Sequence, residues 1–150
     1  MKVLFVCTSN TCRSPIAEQI FNKLNYNTDL SAESAGITIV PGSLITENSA
    51  MLAKEELNVD IANREAIQLN NNLAKNADII LTMTNYGRDF IKSNYPSYKN
   101  KIFSICEYAG VTDEITDPYG GTISVYQKMY KELENIIPIV ISKLKKDGSV

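Results

Sequence analysis

The chain contains no histidine. That absence removes histidine metal ligands and every Ser–His or Cys–His catalytic pair, so any nucleophile must be activated by something else. Cysteine is scarce: Cys7, Cys12 and Cys106 are too few for the disulfide scaffold of a small secreted protein. Long apolar runs are missing as well. The first segment offers one lysine and then five apolar residues, Val3 to Cys7, too short for a signal-peptide core or a membrane span. A cytoplasmic protein that does not engage a membrane is expected. There is no excess of positive charge either, with 15 Lys and Arg against 17 Asp and Glu for a net charge of −2. A polyanionic partner such as nucleic acid is therefore not expected.

What remains is an ordinary globular composition. With 150 residues, 44% of them hydrophobic and 21% charged, residues 1–150 predict one domain with a real core. Val3–Cys7 reads as a strand buried on both faces, as in a parallel sheet. Ser14-Pro15 is a helix-start signal, with Ser14 as N-cap and Pro15 at the first helical position, and apolar residues follow at helical spacing to Leu24. Further strands are predicted at Leu30–Ala35, Ala77–Met83 and Lys101–Cys106. Helices are predicted at Glu47–Leu57, Asn70–Asn76, Tyr86–Tyr95 and Thr122–Lys146, the last kinked at Pro138. Strands alternating with helices imply an α/β fold with a parallel sheet. Ligands bind such sheets at the carboxyl ends of their strands, and Cys7 stands at one of those ends.

Between Cys7 and the first helix lie Thr8, Ser9, Asn10, Thr11, Cys12 and Arg13. A loop folded over a helix N-terminus turns backbone N–H groups inward and makes an anion nest, to which the helix dipole adds. Arg13 can place a guanidinium fork on two phosphate oxygens. The same field favours a thiolate; cysteines in such settings fall from a pKa of about 8.5 to roughly 3.5–7.5. The loop can thus hold a phosphoryl group and ionise Cys7 to attack it. Ser14 can donate its hydroxyl to the Cys7 sulfur, and Asn10 can pin the loop through its amide. The leaving group needs a proton, and Asp117 in the Thr-Asp-Pro-Tyr-Gly-Gly segment is the candidate acid, with Tyr119 as a flat wall for a planar substrate. This chemistry calls for no cofactor and no metal. Cys12 has two readings, a filler beneath the loop or a redox partner for Cys7. Cys106 is expected in the core of the fourth strand.

These residues carry a resemblance. The run VCTSNTCRSPIAE, the SAG at Ser34–Gly36, the strand ADIILTM and the DPYGG segment together resemble the low-molecular-weight protein tyrosine phosphatase family over nearly the whole chain. Cys-x5-Arg alone is common; Cys-x5-Arg-Ser-Pro after an N-terminal strand, with Asp-Pro-Tyr about 110 residues later, is specific. The resemblance implies a four-stranded parallel sheet with helices on both faces, a flavodoxin-like three-layer arrangement. It implies Cys7 as nucleophile, Arg13 as phosphate and transition-state binder and Asp117 as general acid, supported by Asn10 and Ser14. The substrates are then phosphorylated proteins, and a monomer is expected.

Three positions depart from the tyrosine-phosphatase pattern. Thr11 stands where a branched aliphatic residue is usual, Gly120 where many members carry a second aromatic, and Ser9 where Gly or Leu is usual, which raises the question of a positive φ there. The combination looks like the bacterial branch that includes protein-arginine phosphatases. A threonine hydroxyl can orient the polar, planar phosphoarginine group, and one aromatic wall suits a phosphotyrosine ring less well than two. Phosphoarginine is the expected substrate and phosphotyrosine the alternative. An arsenate reductase would need resolving cysteines near residues 80–90, where there are none. A phosphocysteine carrier would need neither Arg13 nor an acid.

Overall fold

Val3, Leu4, Phe5 and Val6 have no solvent exposure, and they run through the middle of the sheet. The structure, a computed structural model, describes residues 1–147. Its elements in chain order are β1 (Lys2–Cys7), α1 (Arg13–Leu24), β2 (Ser31–Gly36), α2 (Glu47–Leu57), α3 (Asn71–Asn76), β3 (Ile79–Thr82), α4 (Asn85–Asn94), a 3-10 helix (Pro96–Lys101), β4 (Ile102–Ser104), α5 (Ile105–Ala109) and α6 (Ile123–Asp147). The strands lie in the order β2-β1-β3-β4 and all pair in parallel. This is the expected four-stranded parallel sheet flanked by helices.

Side chains alternate across a strand, so a strand buried on both faces feeds two cores. Val3, Phe5 and Cys7 of β1 join α1, α5 and α6 on one face. Leu4 and Val6 join Ala74 of α3, Ile91 of α4 and Ile102 of β4 on the other. Phe5 and Phe21 meet edge to face with ring centroids 5.7 Å apart. Each such large side chain taken fully out of water contributes about 1.5–3 kcal/mol. The chain leaves β1 toward β2 on one side and later returns to β3 on the other. The carboxyl end of β1 is therefore the topological switch point, where the crevice of an open parallel sheet forms.

Two expectations need correction, and the question at Ser9 is answered. The fourth strand stops at Ser104, and Cys106 lies in helix α5. The reason is a capping box: the Glu107 N–H donates to Ser104 Oγ at 3.0 Å and the Ser104 N–H to Glu107 Oε1 at 3.2 Å. Ser14 is not an N-cap; α1 begins two residues earlier than expected, at Arg13, with Cys12 at the cap position and no side-chain capping bond. The Ser14 hydroxyl is engaged elsewhere, as described below. Ser9 has no left-handed backbone; that conformation falls on Asn10, at φ 59°. Helix α6 runs through Pro138 as one element, and the segment from Pro96 to Lys101 forms a 3-10 helix.

Candidate active site

The loop from Thr8 to Cys12 is fastened to its surroundings by carbonyl groups. Cys7 O accepts from the Ile37 N–H at 2.9 Å, Thr8 O from the Thr38 N–H at 3.0 Å and Thr11 O from the Thr46 N–H at 2.9 Å. In a planar trans peptide the C=O and the following N–H point in opposite directions. Carbonyls turned out to the scaffold therefore turn the N–H groups of Thr8, Ser9 and Cys12 inward. Gly36 makes the close approach possible: a Cβ there would stand 3.0 Å from both the Ser9 carbonyl carbon and Thr8 O, and 2.7 Å from Ile39 Cγ2. With no side-chain cap on α1, the positive end of that helix also faces the loop.

Asn10 holds the loop from within. Its Nδ2 donates to Ser14 Oγ at 2.7 Å and Ser34 Oγ at 3.1 Å, and its Oδ1 accepts from Arg64 Nη1 at 3.0 Å and the Ile67 N–H at 2.9 Å. Four bonds account for the tolerated left-handed backbone; Asn is among the few residues that enter that region readily. Proton accounting then orients Ser14. Its oxygen receives the Asn10 amide, which leaves its own proton available to Cys7 Sγ, 2.9 Å away. The sulfur is left as an acceptor at the end of β1, at the foot of the loop.

Arg13 is nearly buried, with its Nη2 3.6 Å from Asp117 Oδ2 and its Nη1 3.5 Å from Ile115 O. Asp117 is exposed, and its Oδ1 accepts the Tyr119 N–H at 3.2 Å. The carboxylate is thus both a turn-former and a partner of Arg13. Gly121 N–H returns to Pro118 O at 2.8 Å, with Gly120 at φ 76°. That is the backbone of a type II turn, whose third residue needs glycine. The missing second aromatic at Gly120 is therefore also a backbone requirement. Thr8, Ser9, Thr11, Asp117 and Tyr119 line one cleft of about 410 Å³ with Val40, Ser43, Leu44 and Thr46.

Cys12 Sγ sits 3.6 Å from both Thr46 Oγ1 and Tyr126 Oη, and 3.9 Å from Thr11 Oγ1. Burial, and then the bond to Cys12, push the Tyr126 hydroxyl above its ordinary pKa. Cys106 is remote from the loop contacts, and its thiol is pushed up to about 11, first by burial and then by Asp113, Glu132 and Glu114.

Sequence reasoning missed the layer beneath Asn10. Arg64 Nη2 pairs with Glu18 Oε1 at 3.2 Å and donates to Ser34 Oγ at 2.7 Å. The Glu18 carboxyl is raised above the usual carboxylate value by burial, against the pull of the Ser34 hydroxyl and the Arg64 charge. These residues lie 16 to 46 positions apart, and no local spacing relates them.

A cysteine at the switch point of a parallel sheet, under an inward-facing loop on a helix N-terminus, defines an α/β domain built around an anion cradle. The chain belongs to the low molecular weight phosphotyrosine protein phosphatase family, whose model matches residues 2–150. It is 34% identical over 150 residues to the protein-arginine-phosphatase of Bacillus subtilis (strain 168), covering 98% of this chain and 99% of that one. It is 36% identical over 137 residues to the low molecular weight protein-tyrosine-phosphatase PtpB of Staphylococcus epidermidis, covering 91% and 94%. The crystal structure of a low molecular weight protein tyrosine phosphatase from T. tengcongensis superposes with a TM-score of 0.92 at 40% identity, over 96% of this chain and 99% of that one.

Proposed function

We propose that this chain is a protein phosphatase that removes the phosphoryl group from phosphoarginine by way of a cysteinyl-phosphate. In the first step the Cys7 thiolate attacks phosphorus, the P–N bond breaks, and Asp117 gives its proton to the departing guanidine nitrogen. In the second, water attacks phosphorus, Asp117 takes a proton from it, the S–P bond breaks and orthophosphate leaves. The inward N–H groups and Arg13 carry the charge of the transferring phosphoryl group. The Ser14 proton steadies the sulfur each time it leaves or waits as thiolate.

The observation that carries the phosphoarginine reading is Thr11 in the wall of the cleft. Its hydroxyl lies 3.4 Å from the Ser9 hydroxyl, so this wall is polar where an aliphatic side chain would press on an aromatic ring. Among the described residues, Tyr119 is the only aromatic lining that cleft. Phosphotyrosine is the second reading, favoured by the comparable identity to proteins named tyrosine phosphatases. Parallel kinetics on phosphoarginine and phosphotyrosine peptides separate the two. The wild type should prefer phosphoarginine, and Thr11→Ile should shift relative kcat/KM by at least about tenfold toward phosphotyrosine. A wild type that prefers phosphotyrosine, or a variant that loses both equally, leaves the tyrosine reading standing. The three cysteines are unpaired and buried, which supports a reducing, cytoplasmic setting. No helix among the described residues is long and apolar enough to cross a membrane.

A further inference from the structure

The segment that carries Asp117 has no regular secondary structure from Asp113 to Pro118. Its place over the loop comes from the buried Ile115 and from individual bonds. Glu114 Oε1 accepts the Asn85 N–H at 2.7 Å, which ties the segment to the start of α4. The Ile115 N–H donates to Met83 O at 3.2 Å, just beyond β3. Thr116 is held twice by one carboxylate of α6: its N–H donates to Glu132 Oε1 at 2.8 Å and its hydroxyl to Glu132 Oε2 at 2.9 Å. The next residue is Asp117, facing Arg13.

The order of contacts along the chain is informative. Ile115 O meets Arg13, Thr116 meets Glu132, and Asp117 meets Arg13 again. The C=O and N–H of one trans peptide point opposite ways. Fixing the Thr116 N–H to Glu132 therefore turns the Ile115 carbonyl toward Arg13, on the side where the Asp117 carboxylate also lies. Asp117 itself is exposed, and its bond to the Tyr119 N–H is internal to its own turn. That internal bond shapes the turn without placing it. Ile115 packs into the core and Pro118 is buried, but a hollow of about 480 Å³ lies against Thr116 and Glu132, so at Thr116 itself the carboxylate bonds are the anchor.

We propose that Glu132 is a positioning residue for Asp117: its carboxylate grips both donors of Thr116 and sets the reach of the acid toward the leaving group. The proposal rests on Asp117 being the general acid. It places Glu132 in the reaction without contact to substrate, 15 residues along the chain from the group it serves, on a helix otherwise devoted to the core.

The test is leaving-group dependence in a mutant cycle. Activity is measured on a phosphoarginine or unactivated alkyl phosphate substrate, whose leaving group needs a proton, and on an activated aryl phosphate, whose leaving group does not. Glu132→Ala should lower kcat on the first by about tenfold or more and on the second distinctly less, with inorganic phosphate inhibiting at the wild-type concentration. Glu132→Gln, which can still accept the Thr116 N–H, should recover part of the loss. Thr116→Val, which removes only the hydroxyl bond, should show a smaller loss of the same kind and covers the case in which Glu132→Ala does not fold. In an Asp117→Ala background, Glu132→Ala should add nothing on the demanding substrate. Equal losses on both substrates, or a full further loss in the Asp117→Ala background, would make Glu132 merely structural and overturn the proposal. If Asp117→Ala itself shows no leaving-group dependence, the assignment of the acid fails, and the positioning role fails with it for that separate reason.

Discussion

Arg64→Ala should weaken the protein more at neutral pH than in acid. Arg64 supplies the positive partner of Glu18 at 3.2 Å, with the two side chains only 15% and 18% exposed, and it donates to Asn10 Oδ1 and Ser34 Oγ as well. Removing one member of a buried pair leaves an uncompensated charge and costs about 3–5 kcal/mol. Residual exposure places this pair near the lower figure, about 3 kcal/mol. The pH dependence follows from Glu18. Burial already raises its folded-state pKa, and Arg64 is one of the groups that hold it down. Without Arg64 the folded value climbs further. A carboxyl whose folded pKa exceeds its unfolded value binds its proton more tightly when folded. The stability it contributes is complete below the unfolded pKa, about 4.3, and is lost as pH rises through the folded pKa. The variant loses more over that interval because its folded value is higher. The gap between wild type and variant is therefore smallest in acid, where Glu18 is protonated in both, and levels off once pH passes the variant's folded value. Urea unfolding followed by circular dichroism at pH 5 and pH 8, at constant ionic strength, measures this directly. A penalty below about 1 kcal/mol at pH 8, or the same penalty at both pH values, refutes the reasoning. Glu18→Gln placed in the Arg64→Ala background should recover part of the stability at pH 8, since it removes the stranded charge.

Gly36→Ala should reduce kcat/KM by at least about tenfold while leaving the protein folded, because the new methyl meets the backbone of the anion loop at 3.0 Å; wild-type kinetics would show that the loop is not held by this contact. Native-state alkylation at pH 7.5 should modify Cys7, with inorganic phosphate protecting it, and spare Cys106, whose thiol is pushed up to about 11; peptide mapping that finds Cys106 labelled first refutes this. With a slight excess of peroxide, Cys7 should form a sulfenic acid that the Cys12 thiol displaces as water, giving a disulfide that dithiothreitol reverses. Finding only sulfinic acid at Cys7 by mass spectrometry would assign Cys12 to packing beneath the loop.

Much of this protein was legible in one dimension. The central strand shows itself because a strand buried on both faces is continuously apolar, and Val3–Cys7 is such a run. The candidate anion loop shows itself because its residues are consecutive: candidate nucleophile, N–H donors, guanidinium and helix N-terminus all lie within eight positions. Asp117 could be named because the chemistry of the loop calls for an acid and the Asp-Pro-Tyr segment resembles the family's, and the structure brings it to Arg13. Other features depended on groups far apart in sequence. Ser14 read both as a cap and as a hydroxyl partner of Cys7; the second role is the one found, and only the fold shows the Asn10 amide on the same oxygen. Ser9 drew attention for its backbone, yet the left-handed residue is Asn10, since four tertiary bonds support it there. Cys106 read as strand because its apolar neighbours suit a strand, while Ser104 and Glu107 close a capping box that starts a helix. The Glu18–Arg64–Ser34 layer beneath Asn10 and the Glu132 grip on Thr116 have no periodicity and no motif. A charged pair or a bidentate hydrogen bond between distant residues exists only once packing has placed both partners and excluded water, and the tertiary structure alone decided that.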